Sequence, residues 1–231
     1  MSNTKTTAQE QSTVDTQQNT LIAMMDPLPN PENKTIQAQS PLYHVDLDLL
    51  AKKTQKEGGV HLRERAFLGY LNLRCNQALN EHRDAIEKVL GIPLPREPLS
   101  SSELENYSIR WVSPDEWLIV VPGIEAFAIE SKLRRELTGH YSIINSSGGS
   151  TMLELSGHNV VELLKKSTPV DLHLSQFPIG KVVSTLFAKS SAVIRRTGET
   201  QFELIIRRSF ADYIWLWIQD ASAEFGLVID K

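Results

Sequence analysis

The sequence predicts an α+β protein built as two small α+β domains, at residues 60–145 and 146–231. Segments with alternating apolar residues, typical of strands, are interleaved with segments of helical periodicity. Residues that favour turns separate these segments. The length of 231 residues is sufficient for two buried cores.

The first predicted domain has the element order β-α-β-β-α-β. FLGYLNLRC alternates as a strand, with Leu71, Leu73 and Cys75 on one face, and QALNEHRDAIEKVLG is a helix that ends at Gly91. SPDE is a turn between the strands SIRWV and WLIVV. EAFAIESKLRREL is a second helix, and YSIIN is the last strand. This order defines a split-βαβ, or ferredoxin-like, unit.

The second predicted domain begins after SSGGS, which we interpret as a hairpin turn. TMLELSG is a strand and HNVVELLKKS a short helix. Three further strands follow in KVVSTLFAKS, SAVIRR and FELIIRR, and a helix that starts at Ser209 completes the unit.

Residues 1–40 form a separate polar segment, rich in Thr, Gln, Ser and Asn. It has too little apolar area to offset the entropy of ordering it, so we predict a disordered, dispensable tail. The formal net charge of −4 argues against nucleic acid as a partner. We find no secretory signal, transit peptide or membrane span, which predicts a cytoplasmic protein that does not enter a membrane.

The sequence carries no recognisable catalytic motif. The six histidines are scattered, with no pair at i, i+4 spacing, and neither a GxSxG nor a GxGxxG motif is present. The single cysteine, Cys75, lies in a predicted strand, where a nucleophile is poorly accessible. The motifs alone therefore indicate no self-evident active site, and they single out no catalytic, cofactor-binding or metal-binding residue in this chain.

The stretch RRSFADYIWLWIQD offers candidate interface residues instead. Ser209 is placed to cap a helix with Asp212 as its capping-box partner. At about 100° per residue, Trp217 falls on an apolar stripe that runs from Phe210 to Phe225, whereas Trp215 and Leu216 fall outside it. Two cations at a helix N-terminus oppose the helix dipole. We predict that Arg207, Arg208, Asp212 and Trp215 face another subunit, the alternative being solvated arginines and a Trp215 packed under a loop.

Several stretches together resemble the gamma subunit of the heterotetrameric sarcosine oxidases. They are HLRERAFLGYLNLRC, WVSPDEWLIVVPG, TPVDLHLSQFPIG and IIRRSFADYIWLWIQD, and the resemblance runs from about His61 to the C-terminus. It implies a non-catalytic accessory subunit. The whole enzyme oxidises the N-methyl group of sarcosine, gives glycine and, with tetrahydrofolate, methylene-tetrahydrofolate, and reduces oxygen to hydrogen peroxide. The resemblance also implies alpha, beta and delta partner subunits, with FAD, FMN and NAD held by alpha and beta and zinc by delta.

The second half of the chain also resembles, more distantly, the folate-binding fold of the glycine-cleavage aminomethyltransferase. That family carries acidic residues where this chain has Ser191 and Ala192, and neither of these side chains can act as a base. Three alternatives remain open. They are the equivalent subunit of an N-methylglutamate dehydrogenase, a free-standing folate-binding or aminomethyl-transfer protein, and an interaction module for RNA modification.

Overall fold

The structure, a computed structural model, describes residues 38–53 and 57–230. It contains two mainly antiparallel sheets with helices on their outer faces. Most of the predicted tail, residues 1–37, lies outside the described residues. The helices are α1 Leu47–Lys53, α2 Asn80–Leu90, α3 Ala126–Glu136, α4 Val160–Ser167 and α5 Ala211–Ser222. The strands are β1 Val60–Arg65, β2 Leu68–Cys75, β3 Ser101–Leu104, β4 Tyr107–Ser113, β5 Glu116–Pro122, β6 Tyr141–Asn145, β7 Ser150–Ser156, β8 Val182–Phe187, β9 Ser190–Gly198, β10 Gln201–Arg207 and β11 Leu227–Ile229.

The small sheet has the strand order β3-β4-β5-β2-β6, and all its neighbours are antiparallel. Without β3, this is the order of the predicted split-βαβ unit. Its outer face packs against α2 and α3 because alternate strand residues such as Leu71, Ile119 and Ile143 point to that side. Cys75 is buried in the same core, as the sequence predicts.

The large sheet has the strand order β11-β1-β7-β10-β9-β8. Its outer face packs against α4 and α5, around residues such as Leu155, Ile194 and Leu204. The inner faces of the two sheets meet around Tyr70 and Ile205 in a smaller apolar cluster. The molecule is therefore layered as helices, sheet, sheet, helices, which confirms the predicted α+β class.

Strand β1 is the main departure from the predicted organisation. It lies within the predicted first domain, yet it pairs with β7 and, in parallel, with β11 of the large sheet. If the large sheet were a simple split-βαβ unit, the position beside β7 would belong to the strand that follows its second helix. That helix is α5, and the strand after it is β11. Here the N-terminal strand takes this place and β11 lies beyond it. The division into two separately folding domains at residues 60–145 and 146–231 stays a prediction.

The SSGGS segment is not a hairpin, and this prediction was wrong. Its neighbours β6 and β7 belong to different sheets, and the segment forms a short 3-10 turn at Ser147–Gly149 that carries the chain from one sheet to the other. Gly148 and Gly149 have open space around them. The sequence shows the turn residues but not which strands they join.

Candidate functional site

The predicted interface arginines lie at the end of β10 and in the turn that follows it. Both Arg207 and Arg208 are exposed, and within the described part of the chain neither forms an ion pair. Arg208 donates a hydrogen bond to the carbonyl oxygen of Gln39 at 3.4 Å. Arg207 stands opposite Ser150 of β7, on the face of the large sheet that points toward the small sheet. Among the described residues, no carboxylate therefore neutralises either positive charge.

Asp212 does not have the predicted capping role. A 3-10 turn at Arg208–Phe210 precedes α5, which begins at Ala211, and no side chain caps the helix. Asp212 Oδ1 instead lies 2.9 Å from His44 Nε2, and both side chains are more than half exposed. The prediction of a capping box at Ser209 was therefore wrong, because the chain enters α5 through the 3-10 turn. The pair ties the segment before α1 to the surface of α5.

Trp215 is buried, so the prediction that it points away from the core was wrong. Its side chain is 5% exposed and belongs to the core under α5, together with Ile214 and Ile218. The buried arc is centred near Ile218, about 60° from Trp215 and about 100° from Trp217. Trp217 is only partly buried, and its indole N–H donates to Ser167 Oγ at 3.0 Å.

The predicted stripe differs from this arc because it included Phe210 and Trp217 as core positions and left out Ala211 and Trp215, which are buried. Phe210 lies in the 3-10 turn and is 42% exposed. Leu216, which was also predicted to lie outside the stripe, is 56% exposed. Phe210 is thus an exposed apolar side chain in the turn that contains Arg208, and Leu216 is another farther along α5.

A buried cluster of charges joins the two sheets, and no pattern in the sequence predicted it. The Arg110 guanidinium of the small sheet donates to Glu203 of the large sheet at 2.6 Å, and its side chain is 1% exposed. Arg195 reaches the same carboxylate at 3.2 Å and also pairs with Glu103. Burial lowers the pKa of Arg110, and the charge of Glu203 opposes this shift. The cluster fixes how the sheets face each other.

Beside this cluster the inner faces of the two sheets diverge and leave an open cleft of about 460 Å³. Apolar side chains of both sheets, Leu118, Val193 and Ile205, form part of its lining. Polar side chains and one cation also line it; they belong to Tyr70, Asn72, Ser146, Ser150, Ser184, Thr185, Ser191 and Arg207. No described residue that lines the cleft carries a carboxylate.

Ser191 and Ala192 both line this cleft, but their side chains differ in direction. Ser191 is exposed on the inner face, in register with Leu186 of β8. Ala192 is 4% exposed and packs into the core on the helix side. The cleft thus offers hydrogen-bond donors and one positive charge, and it offers no side chain that could serve as a carboxylate base.

No group of three or more His, Cys, Asp or Glu residues in the described ranges could hold a metal ion. Among the helices described, none is both long and apolar enough to cross a membrane.

The fold and the cleft define a two-sheet α+β protein with an open cleft lined by hydroxyl groups, apolar side chains and one arginine. The chain matches the Sarcosine oxidase, gamma subunit family over residues 74–224, and it belongs to this family. A sarcosine oxidase subunit gamma from Arthrobacter sp. is 31% identical over 171 residues, which are 73% of this chain and 83% of the relative.

Two solved structures resemble the chain. One is in the heterotetrameric sarcosine oxidase from Corynebacterium sp. U-96, in complex with pyrrole 2-carboxylate, with a TM-score of 0.73 and 27% identity over 81% of this chain and 96% of that one. The other is the glycine cleavage system aminomethyltransferase T from Bartonella henselae, with a TM-score of 0.59 and 12% identity over 84% of this chain and 60% of that one. The second likeness concerns the fold alone and confirms the aminomethyltransferase-like fold expected from the sequence.

Proposed function

We propose that this chain is the non-catalytic gamma subunit of a heterotetrameric sarcosine oxidase, assembled with alpha, beta and delta subunits. The observation that carries the proposal is the family match, supported by a structural likeness that covers 96% of a chain of the Corynebacterium complex. In this enzyme sarcosine, tetrahydrofolate and oxygen give glycine, methylene-tetrahydrofolate and hydrogen peroxide.

The chemistry of the described residues supports an accessory role. The cleft has no carboxylate among its lining residues, and Ser191 offers only a neutral hydroxyl there. A neutral hydroxyl neither accepts a proton at neutral pH nor stabilises a developing cation. In this proposal FAD, FMN and NAD are held by the alpha and beta subunits, zinc is held by the delta subunit, and tetrahydrofolate is a co-substrate of the complex.

The exposed end of β10 and the start of α5 form the proposed contact surface with another subunit. Arg207 and Arg208 contribute two positive charges without ion-pair partners in the described chain, and Phe210 and Leu216 contribute exposed apolar area. Trp215 supports this surface from beneath, because it is buried in the core of α5.

We place the complex in the cytoplasm. A reducing compartment suits a chain with a single cysteine, Cys75, which is a free and buried thiol.

Co-expression with the three partner subunits tests the proposal. We expect the chain to co-purify with them and the complex to oxidise sarcosine, whereas the isolated chain should be colourless and inactive with sarcosine and with N-methylglutamate. A stoichiometric flavin spectrum from the isolated chain would contradict the non-catalytic role. A complex that oxidises N-methylglutamate but not sarcosine would place the chain in the alternative dehydrogenase.

A further inference from the structure

The cleft between the diverging sheets is unusual because residues that face inward remain exposed there. On the small sheet, Ile144 of β6 is in register with Asn72 and shares its inner face, yet it is 59% exposed. On the large sheet, Leu186 of β8 shares the inner face with Ser191 and is 53% exposed. Elsewhere between the sheets, the inward-facing apolar residues Val120 and Met152 are only 3% and 2% exposed. The apolar layer between the sheets is therefore incomplete at this end.

The charge of the residues that line the cleft indicates which chemical group it can bind. Arg207 is the single charged residue among the described residues that line it, and it has no ion-pair partner in the described chain. Hydroxyl groups of Ser150, Ser184 and Ser191 lie on the same inner face of the large sheet as Arg207. A guanidinium beside hydroxyl donors is suited to a carboxylate. The apolar side chains on both walls are suited to an aliphatic or aromatic group next to that carboxylate.

The shape of the cleft favours a polypeptide over a small molecule. Ligand pockets typically bury about 70–90% of a small ligand. This cleft is open, and the exposed apolar area continues beyond it to Ile144 on one wall and Leu186 on the other. An occupant that covers both side chains must extend past the cleft, as a chain segment does.

We propose that this cleft receives an acidic, apolar segment of a partner subunit, whose carboxylate pairs with Arg207 and whose side chain completes the layer between the sheets. This inference rests on the proposed role as a subunit of a larger complex. It adds the position of one contact and the chemistry of the partner segment.

Chemical labelling of the assembled complex tests the inference. A Ser191→Cys variant places a thiol in the cleft, and the native Cys75 gives little background because burial raises its pKa to about 11. We expect maleimide to modify Ser191→Cys readily in the isolated chain and at least about tenfold more slowly in the complex. A Lys132→Cys variant, exposed on α3 across the small sheet from the cleft, gives the reference rate in both states. Unchanged modification of Ser191→Cys in an intact complex would overturn the inference, whereas failure of the native chain to assemble would refute the proposed function itself.

A photo-crosslinking residue at position 191 identifies the occupant. We expect the crosslinked peptide to come from a partner subunit and to carry an Asp, a Glu or a chain-terminal carboxylate within a few residues of the crosslink. A peptide without a carboxylate, or one from a second copy of this chain, would overturn the inference. Protection of Ser191→Cys already in the isolated chain, with release of an organic anion on denaturation, would assign the cleft to a small molecule and would also overturn it.

Charge reversal tests the ion pair separately. We expect Arg207→Glu to weaken assembly at least about tenfold, because a buried carboxylate of the partner would then face a like charge. The matched variant Arg135→Glu reverses an exposed charge on α3, on the other side of the small sheet, and should change assembly less than about threefold. Equal effects of the two variants would contradict the pairing with Arg207. The melting temperature of each isolated variant shows whether it is folded.

Discussion

Replacing Glu203 by glutamine should destabilise the chain strongly, because this carboxylate neutralises two buried guanidinium groups. The side chains of Arg110 and Arg195 are 1% and 3% exposed, and both contact Glu203. Arg195 keeps Glu103 as a second partner, whereas Arg110 has no other ion-pair partner in the described chain. The variant therefore leaves Arg110 buried and uncompensated beside a second positive charge.

The cost follows from the burial of the pair. Removing one partner of a buried ion pair destabilises proteins by about 3–5 kcal/mol. Because the Glu203 side chain is still 15% exposed, we expect the lower value, about 3 kcal/mol. For a chain of this size, that loss corresponds to a decrease in melting temperature of roughly 6–12 °C.

Thermal and urea unfolding of the isolated chain measure the effect. The control variant Glu162→Gln breaks an exposed ion pair, since the side chains of Glu162 and Lys165 are 51% and 58% exposed. It should lower the free energy of unfolding by about 0.5 kcal/mol or less. The double variant Arg110→Met with Glu203→Gln should recover part of the loss, since the uncompensated charge is removed. If Glu203→Gln is as stable as Glu162→Gln, water reaches the cluster and the reasoning is wrong.

Three further predictions concern the core of α5, the N-terminal segment and the thiol. Trp215→Ala should lower the free energy of unfolding by about 3–5 kcal/mol and Trp217→Ala by about 1–2 kcal/mol, because Trp215 is the more buried of the two. Urea unfolding measures both values, and a larger loss for Trp217→Ala would contradict this expectation. A chain without residues 2–37 should still assemble with the partner subunits at near-native turnover, and loss of assembly would show that this segment takes part in binding. Cys75 should remain protonated in the folded chain at pH 9, because burial raises its pKa to about 11, so its alkylation should require unfolding. Since the unfolded thiol ionises near pH 8.5, the contribution of Cys75 to stability should be present below that pH and lost as the pH rises toward 11; Cys75→Ala should remove this part of the decrease.

The local elements of this chain were largely predictable because their periodicities are strong. The helices α2, α3 and α4 and the hairpin of β9 and β10 lie where apolar spacing places them. The error at α5 is one of phase. The predicted stripe counted Trp217 as a core position, whereas the buried arc of α5 includes Ala211 and Trp215 and is centred near Ile218.

The layer between the sheets could not be predicted, for a different reason. Alternation identifies a polar face on a strand, and a polar face is normally exposed to solvent. Arg110, Arg195 and Glu203 lie on such faces, and they are shielded from solvent only because the two sheets turn these faces toward each other. The cleft at Ser191 depends on the same sheet pairing. The residue spacing within a single strand cannot reveal which faces of the two sheets pack together.

The position of β1 has a consequence for the synthesis of this protein. Of the described strands, β1 leaves the ribosome first, but its partner β7 follows the whole small sheet and its partner β11 follows almost the entire chain. Pairings between such distant segments form slowly, because a long loop must close first. Until then β1 presents an unpaired strand edge, the kind of surface through which nascent chains associate with one another. Two arginines and one glutamate, at Arg63, Glu64 and Arg65, keep the unpaired edge charged and so disfavour premature pairing between molecules.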